Sequence, residues 1–319
     1  MNGGAAVRGV WPAGPAARRL QRALAGTVVV LPLLALPIAG WLWAAGRVRP
    51  VDWGLLTGMY LVTITGITVG FHRHFTHGAF QARPGVCWML GVAGSMAGQG
   101  PLLFWISTHR RHHAFSDAHG DPHSPNGPEA VRPWPRLRGW WHAHIGWMFA
   151  DEITSWAHYA PDHLRDPLSF RLHRSYGVWV LAGLVLPAVI GGLWDMSARG
   201  AAQGVLFGGL VRMALCNNAC WCVGSICHMY GARPFANGDH SANHYPVALL
   251  TFGEGLQNNH HAFPSSAHHK IRWWEPDMGA WVIRVLEWAG LVWAVRRPGR
   301  EEVRRALARS ARQPEEPAR

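Results

Sequence analysis

A chain of 319 residues can hold one large domain or two small ones. Nearly half of it is apolar, yet its mean hydropathy is close to zero, so long apolar runs must alternate with strongly polar stretches. The net charge of +12 comes from arginine, with Lys270 the single lysine, and the arginines flank the apolar runs without forming one aromatic-interleaved stripe; this argues against a nucleic-acid partner and for membrane headgroups. Five cysteines, with no CxxC among them, argue against a disulfide framework.

In chain order, residues 1–25 read as an arginine-bearing cytoplasmic tail, weakly ordered. Four runs follow that are long enough to cross a bilayer, which takes about 20 apolar residues in a helix: Gly26–Gly46, Trp53–Phe71, Tyr176–Trp194 and Ala202–Val223. The first resembles a signal segment but is long for one and is soon followed by a second span, so it reads as an uncleaved anchor. Many of the 19 tryptophans lie at the edges of these runs, where indole suits the membrane–water interface. A fifth run, Gly85–Ile106, carries Gln99 and five glycines and is expected to be interfacial, re-entrant or buried, not spanning. Trp281–Val295 is expected to be an amphipathic surface helix. Residues 296–319 read as a charged, weakly ordered tail. The expected domain is 26–295.

Outside the spans, arginine plus lysine number 4 before residue 26, 2 in 47–52, 10 in 72–175, 1 in 195–201 and 12 after residue 223. The positive-inside rule then puts both termini and the central segment in the cytoplasm and two short hairpins outside.

Twenty histidines are several times the usual share. His72 and His77 stand in HRHFTH, where the second run ends. His109, His112 and His113 stand in HRRHH, and Gln257, His260 and His261 in QNNHH; each triplet has the i, i+3, i+4 spacing that shares one helix face. His228 stands just beyond the fourth run. A lone histidine is usually structural, but two matched triplets and a pair at membrane edges point to metal. Imidazole suits iron, copper, zinc or nickel, and eight such ligands are too many for one ion.

The chain resembles the membrane-bound fatty-acyl desaturases of the stearoyl-CoA type. The resemblance runs over about residues 26–295 and rests on HRHFTH at 72–77, WISTHRRHH at 105–113, DPH at 121–123, SICHMYG at 225–231 and GEGLQNNHHAFP at 253–264. It implies an all-α integral membrane protein with four transmembrane helices under a cytosolic cap that carries the histidine boxes. It implies two irons held by His72, His77, His109, His112, His113, His228, His260 and His261, with O2 as co-substrate. The third box departs from the stearoyl-CoA pattern by opening on Gln257, whose amide oxygen could ligate or hold a water. Gly224 replaces an asparagine that in the family supports a metal-bound water, and Asn218 is expected to be too distant to substitute. Asp121 and Glu254 are candidates to accept N–H from ligating imidazoles, and His74, His119 and His123 to lie around them. Arg212, inside the fourth run, matches a family arginine and is a candidate substrate contact.

The implied reaction is O2-dependent desaturation of a fatty acyl chain carried on coenzyme A, acyl carrier protein or a lipid. Hydroxylation or acetylenation at the same site is the nearest alternative; an inactive homologue or a metal-binding membrane protein is a more distant one. No HPGG haem segment is present, so electrons are expected from a separate ferredoxin, rubredoxin or cytochrome with its reductase.

Overall fold

The computed structural model describes residues 6–127 and 134–312; the outermost parts of both expected tails lie outside these. Among the described residues the chain is helical with four very short strands. Four helices are long and apolar enough to cross a membrane: α1 (Pro15–Ala44), α2 (Pro50–Thr76), and two later ones at Tyr176–Asp195 and Ala198–His228. Each predicted span falls on one of them. Pro32 and Pro37 are accommodated within α1, as membrane helices allow when neighbours re-satisfy the backbone.

The fifth apolar run does not form a spanning helix. It is divided into α3 (Pro84–Met96) and α4 (Leu102–Phe115), and α3, with 13 residues, is too short to cross. Gly98 and Gly100 between them hold φ of +80° and +106°, which L side chains rarely adopt, so the sequence itself sets the break. After the helix α5 (Pro135–His144), the later spans are α6 (Tyr176–Asp195) and α7 (Ala198–His228).

The chain forms two compact units. Unit 1 comprises residues 1–67, 88–108 and 145–218 and holds α1, α6, most of α3 and most of the apolar length of α2 and α7. Helices come close there because glycines face one another: a Cβ on Gly66 would fall 2.1 Å from the Gly94 nitrogen. Strand β1 (Val10–Pro12) pairs antiparallel with Glu152–Thr154, so residues 10–12 are more ordered than the composition suggests.

Unit 2 comprises residues 68–87, 109–144 and 219–319, and every candidate metal ligand belongs to it. Its later helices are α8 (Tyr245–Leu250), α9 (Gln257–Ala262), α10 (Met278–Trp288) and α11 (Arg300–Ser310). The amphipathic segment is α10: Gly279, Ala280 and Ile283 are buried, while Trp281, Val285 and Trp288 are exposed. It ends earlier than expected, because Val292–Trp293 forms a strand against Gln81–Ala82. The described part of the C-terminal tail, to residue 312, is also more structured than its charge implies. In α11, Val303 and Ala306 pack on Phe235 and Phe263, a one-sided apolar contact that a composition reading overlooks.

Candidate metal centre

The first histidine pair depends on an unusual backbone. From Gly66 to Thr76, α2 is wound as a π-helix, and the His77 amide donates to the His72 carbonyl at 3.1 Å, an i→i+5 bond. In an α-helix, residues five apart point about 140° from each other. The wider turn brings them nearly over one another, so HRHFTH delivers two imidazoles to one side. His109, His112 and His113 come from α4 and Gln257, His260 and His261 from α9, both at ordinary helical spacing. His228 closes α7 in a 3-10 turn.

Five imidazoles converge first. The Nε2 atoms of His72, His77, His109, His113 and His260 form a closed ring of five contacts. His72–His77, His77–His109 and His72–His260 are 3.1 Å, His109–His113 is 3.0 Å and His113–His260 is 2.9 Å. Two bonds of about 2.1 Å from a metal to imidazole nitrogens at right angles would separate those nitrogens by roughly 3.0 Å. His112, His228 and His261 form a second group. The Gln257 side-chain amide lies in that group, its terminal nitrogen 2.9 Å from His261 Nε2 and 3.4 Å from His228 Nε2. Amide oxygen and nitrogen are interchangeable by a flip, so the oxygen can take that position.

Both groups fit a cation. His112 Nδ1 lies 2.9 Å from Asp121, His228 Nδ1 2.8 Å from Asp117 and His261 Nδ1 2.5 Å from Asp239; His72 Nδ1 pairs with Glu254. An ionised carboxylate can only accept, so each Nδ1 donates its proton outward and each Nε2 presents a lone pair inward. Inward lone pairs about 3 Å apart repel one another unless a positive ion lies among them. The buried Nε2 of His112 has no hydrogen-bond partner among the described residues, as a donor facing a metal would.

Electrostatics point the same way. Burial, and then neighbouring imidazoles, push His77, His109, His113 and His260 well below the ordinary histidine range, leaving them neutral and able to ligate. Burial lowers His261 to about 4 despite its bond to Asp239. For Asp117, Asp121 and Asp239 burial alone would raise the carboxyl. The His228, His112 and His261 imidazoles outweigh it and hold all three below the usual carboxylate range.

Not every predicted residue joins these groups. His74 bonds the Phe80 carbonyl at 3.2 Å, and Asn218 donates to Ala214 in its own helix. His119 is exposed. His123 does reach the second group: its ring stacks 4.4 Å from that of His112. A Cβ on Gly224 would stand 3.2 Å from His123 Nδ1, so the missing side chain at 224 gives an imidazole its room. In unit 1, Arg212 is fully buried, with its guanidinium on the carbonyls of Gly208, Met96 and Gly183. Met96 ends α3 and Gly183 stands four residues before Pro187, so both carbonyls lack the usual intrahelical donor.

Four participants are absent from the motif reading. Asp117 and Asp239 hold the His228 and His261 imidazoles from loops with no periodic pattern; their one signal is acid close to histidine in a chain with only 18 acidic residues. Arg73, inside the first box, is fully buried and pairs with Glu254 at 3.2 Å and Asp277 at 2.9 Å. His269, also buried, packs 4.6 Å from the His260 ring. A cleft of ≈ 700 Å³ reaches His77, His113 and His261, with Arg110, Phe115 and Asp239 on its walls.

The sequence profile of the family described as fatty acid desaturase matches residues 50–296. Among individual relatives, a hex-5-enoyl-(acyl-carrier protein) acetylenase of Moorena producens is 43% identical, over 79% of this chain and 78% of its own. An icosanoyl-CoA 5-desaturase of Limnanthes douglasii is 33% identical, over 95% and 80%. An sn-1 stearoyl-lipid 9-desaturase of Anabaena variabilis is 33% identical, over 78% and 83%.

Proposed function

The chain belongs to the fatty acid desaturase family and is an oxidoreductase acting on fatty acyl chains; from that premise we propose that it inserts a double bond using O2 and two irons. His72, His77, His109, His113 and His260 hold one iron, and His112, His228, His261 and the amide of Gln257 hold the other. The observation that carries this reading is the pair of inward-facing donor groups, several of whose outward nitrogens are fixed by carboxylates. Imidazole-rich sites also take zinc and copper; iron is assigned because an unactivated C–H bond needs a redox metal and O2.

The metals supply the oxidising power. The acyl chain gives up two hydrogen atoms, a separate donor protein (ferredoxin, rubredoxin or cytochrome, with its reductase) gives two electrons, and O2 leaves as two waters with two protons from solvent. The protein's own part is to hold each imidazole in one tautomer, through Asp117, Asp121, Asp239 and Glu254, and to keep the ligating nitrogens buried.

We place this centre in a cytoplasmic cap of a four-span integral membrane protein, with both termini on the same side; the arginine asymmetry and the four apolar helices support that orientation. The desaturase domain is 26–295, flanked by the two charged tails, and no nucleic-acid role is proposed. The relatives named above use acyl carrier protein, coenzyme A or a lipid as carrier, so the carrier is left open among these. The test is expression with a compatible reductase, followed by mass spectrometry of acyl chains. Products two hydrogens lighter than their precursors are expected, and unchanged acyl chains with fully loaded metal would refute the reading. Identity of 43% to an acetylenase favours one second reading, removal of two further hydrogens from an existing double bond. An alkyne and a diene have the same mass, so fragmentation of derivatised products separates the two.

A further inference from the structure

The two donor groups are chemically unequal. Among the described residues, the first has five imidazoles and one carboxylate found against an outward nitrogen, Glu254, which also faces the Arg73 guanidinium at 3.2 Å. The second has three imidazoles and an amide, and each imidazole has its own aspartate: Asp121 behind His112, Asp117 behind His228 and Asp239 behind His261. These three side chains are at most 7% exposed. Their other described bonds come from hydroxyl, amide and backbone N–H groups: Ser124, Asn126 and the His240 amide at Asp117, the Asp117 and His123 amides at Asp121, and Ser116 and Ser241 at Asp239; His123 Nδ1 also stands 3.9 Å from Asp121.

A carboxylate on Nδ1–H makes an imidazole a stronger donor at Nε2. Three such carboxylates also put formal negative charge one ring away from a single ion, in a buried setting where screening by water is weak. Both effects favour a trivalent ion over a divalent one. The first group, with one carboxylate already facing an arginine, has no comparable bias.

We propose that the second group, His112, His228, His261 and Gln257, is where the first oxidising equivalent resides, and that Asp117, Asp121 and Asp239 are positioning residues that set this order. The inference rests on the di-iron reading above. The redox step is an outer-sphere one: one electron leaves the iron in the second group for a one-electron oxidant, with no bond made or broken and no proton moved.

The test uses the full chain in detergent, loaded with Mössbauer-active iron, counted for metal, fully reduced and then given one equivalent of ferricyanide. One ferric and one ferrous component are expected. Gln257→His changes a ligand of the second group only and should alter the ferric component. Asp117→Asn, Asp121→Asn and Asp239→Asn keep shape and remove charge; each should shift the first oxidation to higher potential. Glu254→Gln should alter the ferrous component and leave that potential unmoved. The aspartates are three independent positions, so loss of iron in one variant leaves the others to report. A single potential that none of the three variants moves, or a shift produced by Glu254→Gln instead, overturns the proposed order while the di-iron reading stands. Wild-type protein that takes up no iron overturns both.

Discussion

Because Asp117 reaches His228 through Nδ1 at 2.8 Å, under the proposed assignment it acts on a ligand without touching the metal. Removing such a partner typically costs 10–100-fold in metal affinity. Asp117→Asn should therefore weaken binding by about that factor in a competitive chelator titration, whereas His112→Ala or His261→Ala should remove metal and activity together; full activity in either alanine variant would refute the ligand assignment. Gln257 is 2% exposed, and its amide lies within the second group. Gln257→Ala should lower iron content and turnover more than protein abundance, and Gln257→His should retain both irons. If Gln257→Ala matches wild type in both readings, the site is built by histidines alone. At position 224 the geometry changes what the sequence implies. Asparagine there would extend into the space His123 holds, so Gly224→Asn should cost about 1–3 kcal/mol as overpacking. Gly224→Ala should be milder, and thermal melts of the two variants compare them.

Among the elements, the four long helices and the two i, i+3, i+4 triplets were legible in the sequence. Each rests on a repeating pattern that survives without tertiary contacts. What was not legible depends on single residues in context. The π-winding of 66–76 is a register change that no hydrophobic period announces, although the five-residue spacing of His72 and His77 is what it serves. The strands at 10–12 and 292–293 are too short to leave an alternation. Asp117, Asp239 and His269 reach the centre from irregular segments, where spacing carries no direction. The break between α3 and α4 was foreshadowed by its glycines. A Cβ on Gly100 would meet the Phe104 ring at 2.5 Å, and its φ is +106°. Gly100→Ala should cost about 1–2 kcal/mol from backbone strain, and more where Phe104 cannot yield. A melting temperature equal to wild type in detergent would show that this turn relaxes freely.

For the whole molecule, orientation in the membrane is the property that arginine distribution predicts and that apolar length alone cannot. The hairpin at 47–52 carries two arginines and that at 195–201 one, against ten in 72–175. Arg49 is moreover held by Asp52 and Asp195, so it is tied down within unit 1. Short hairpins with few free positive charges translocate readily, whereas arginine-rich segments are retained. All the candidate ligands must also share one aqueous side if they are to meet, and they all belong to unit 2. The arginine distribution predicts residues 45–49 and 196–198 outside, and both considerations predict residues 116–120 inside. Ala45, Ala198 and His119 are exposed, and the five native cysteines are buried or half-buried, which gives a low background for thiol chemistry. In intact cells, an impermeant maleimide should label Ala45→Cys and Ala198→Cys. His119→Cys should react only after the membrane is opened. Labelling of His119→Cys from outside would put the second histidine box on the wrong side of the bilayer and overturn the shared cytoplasmic centre.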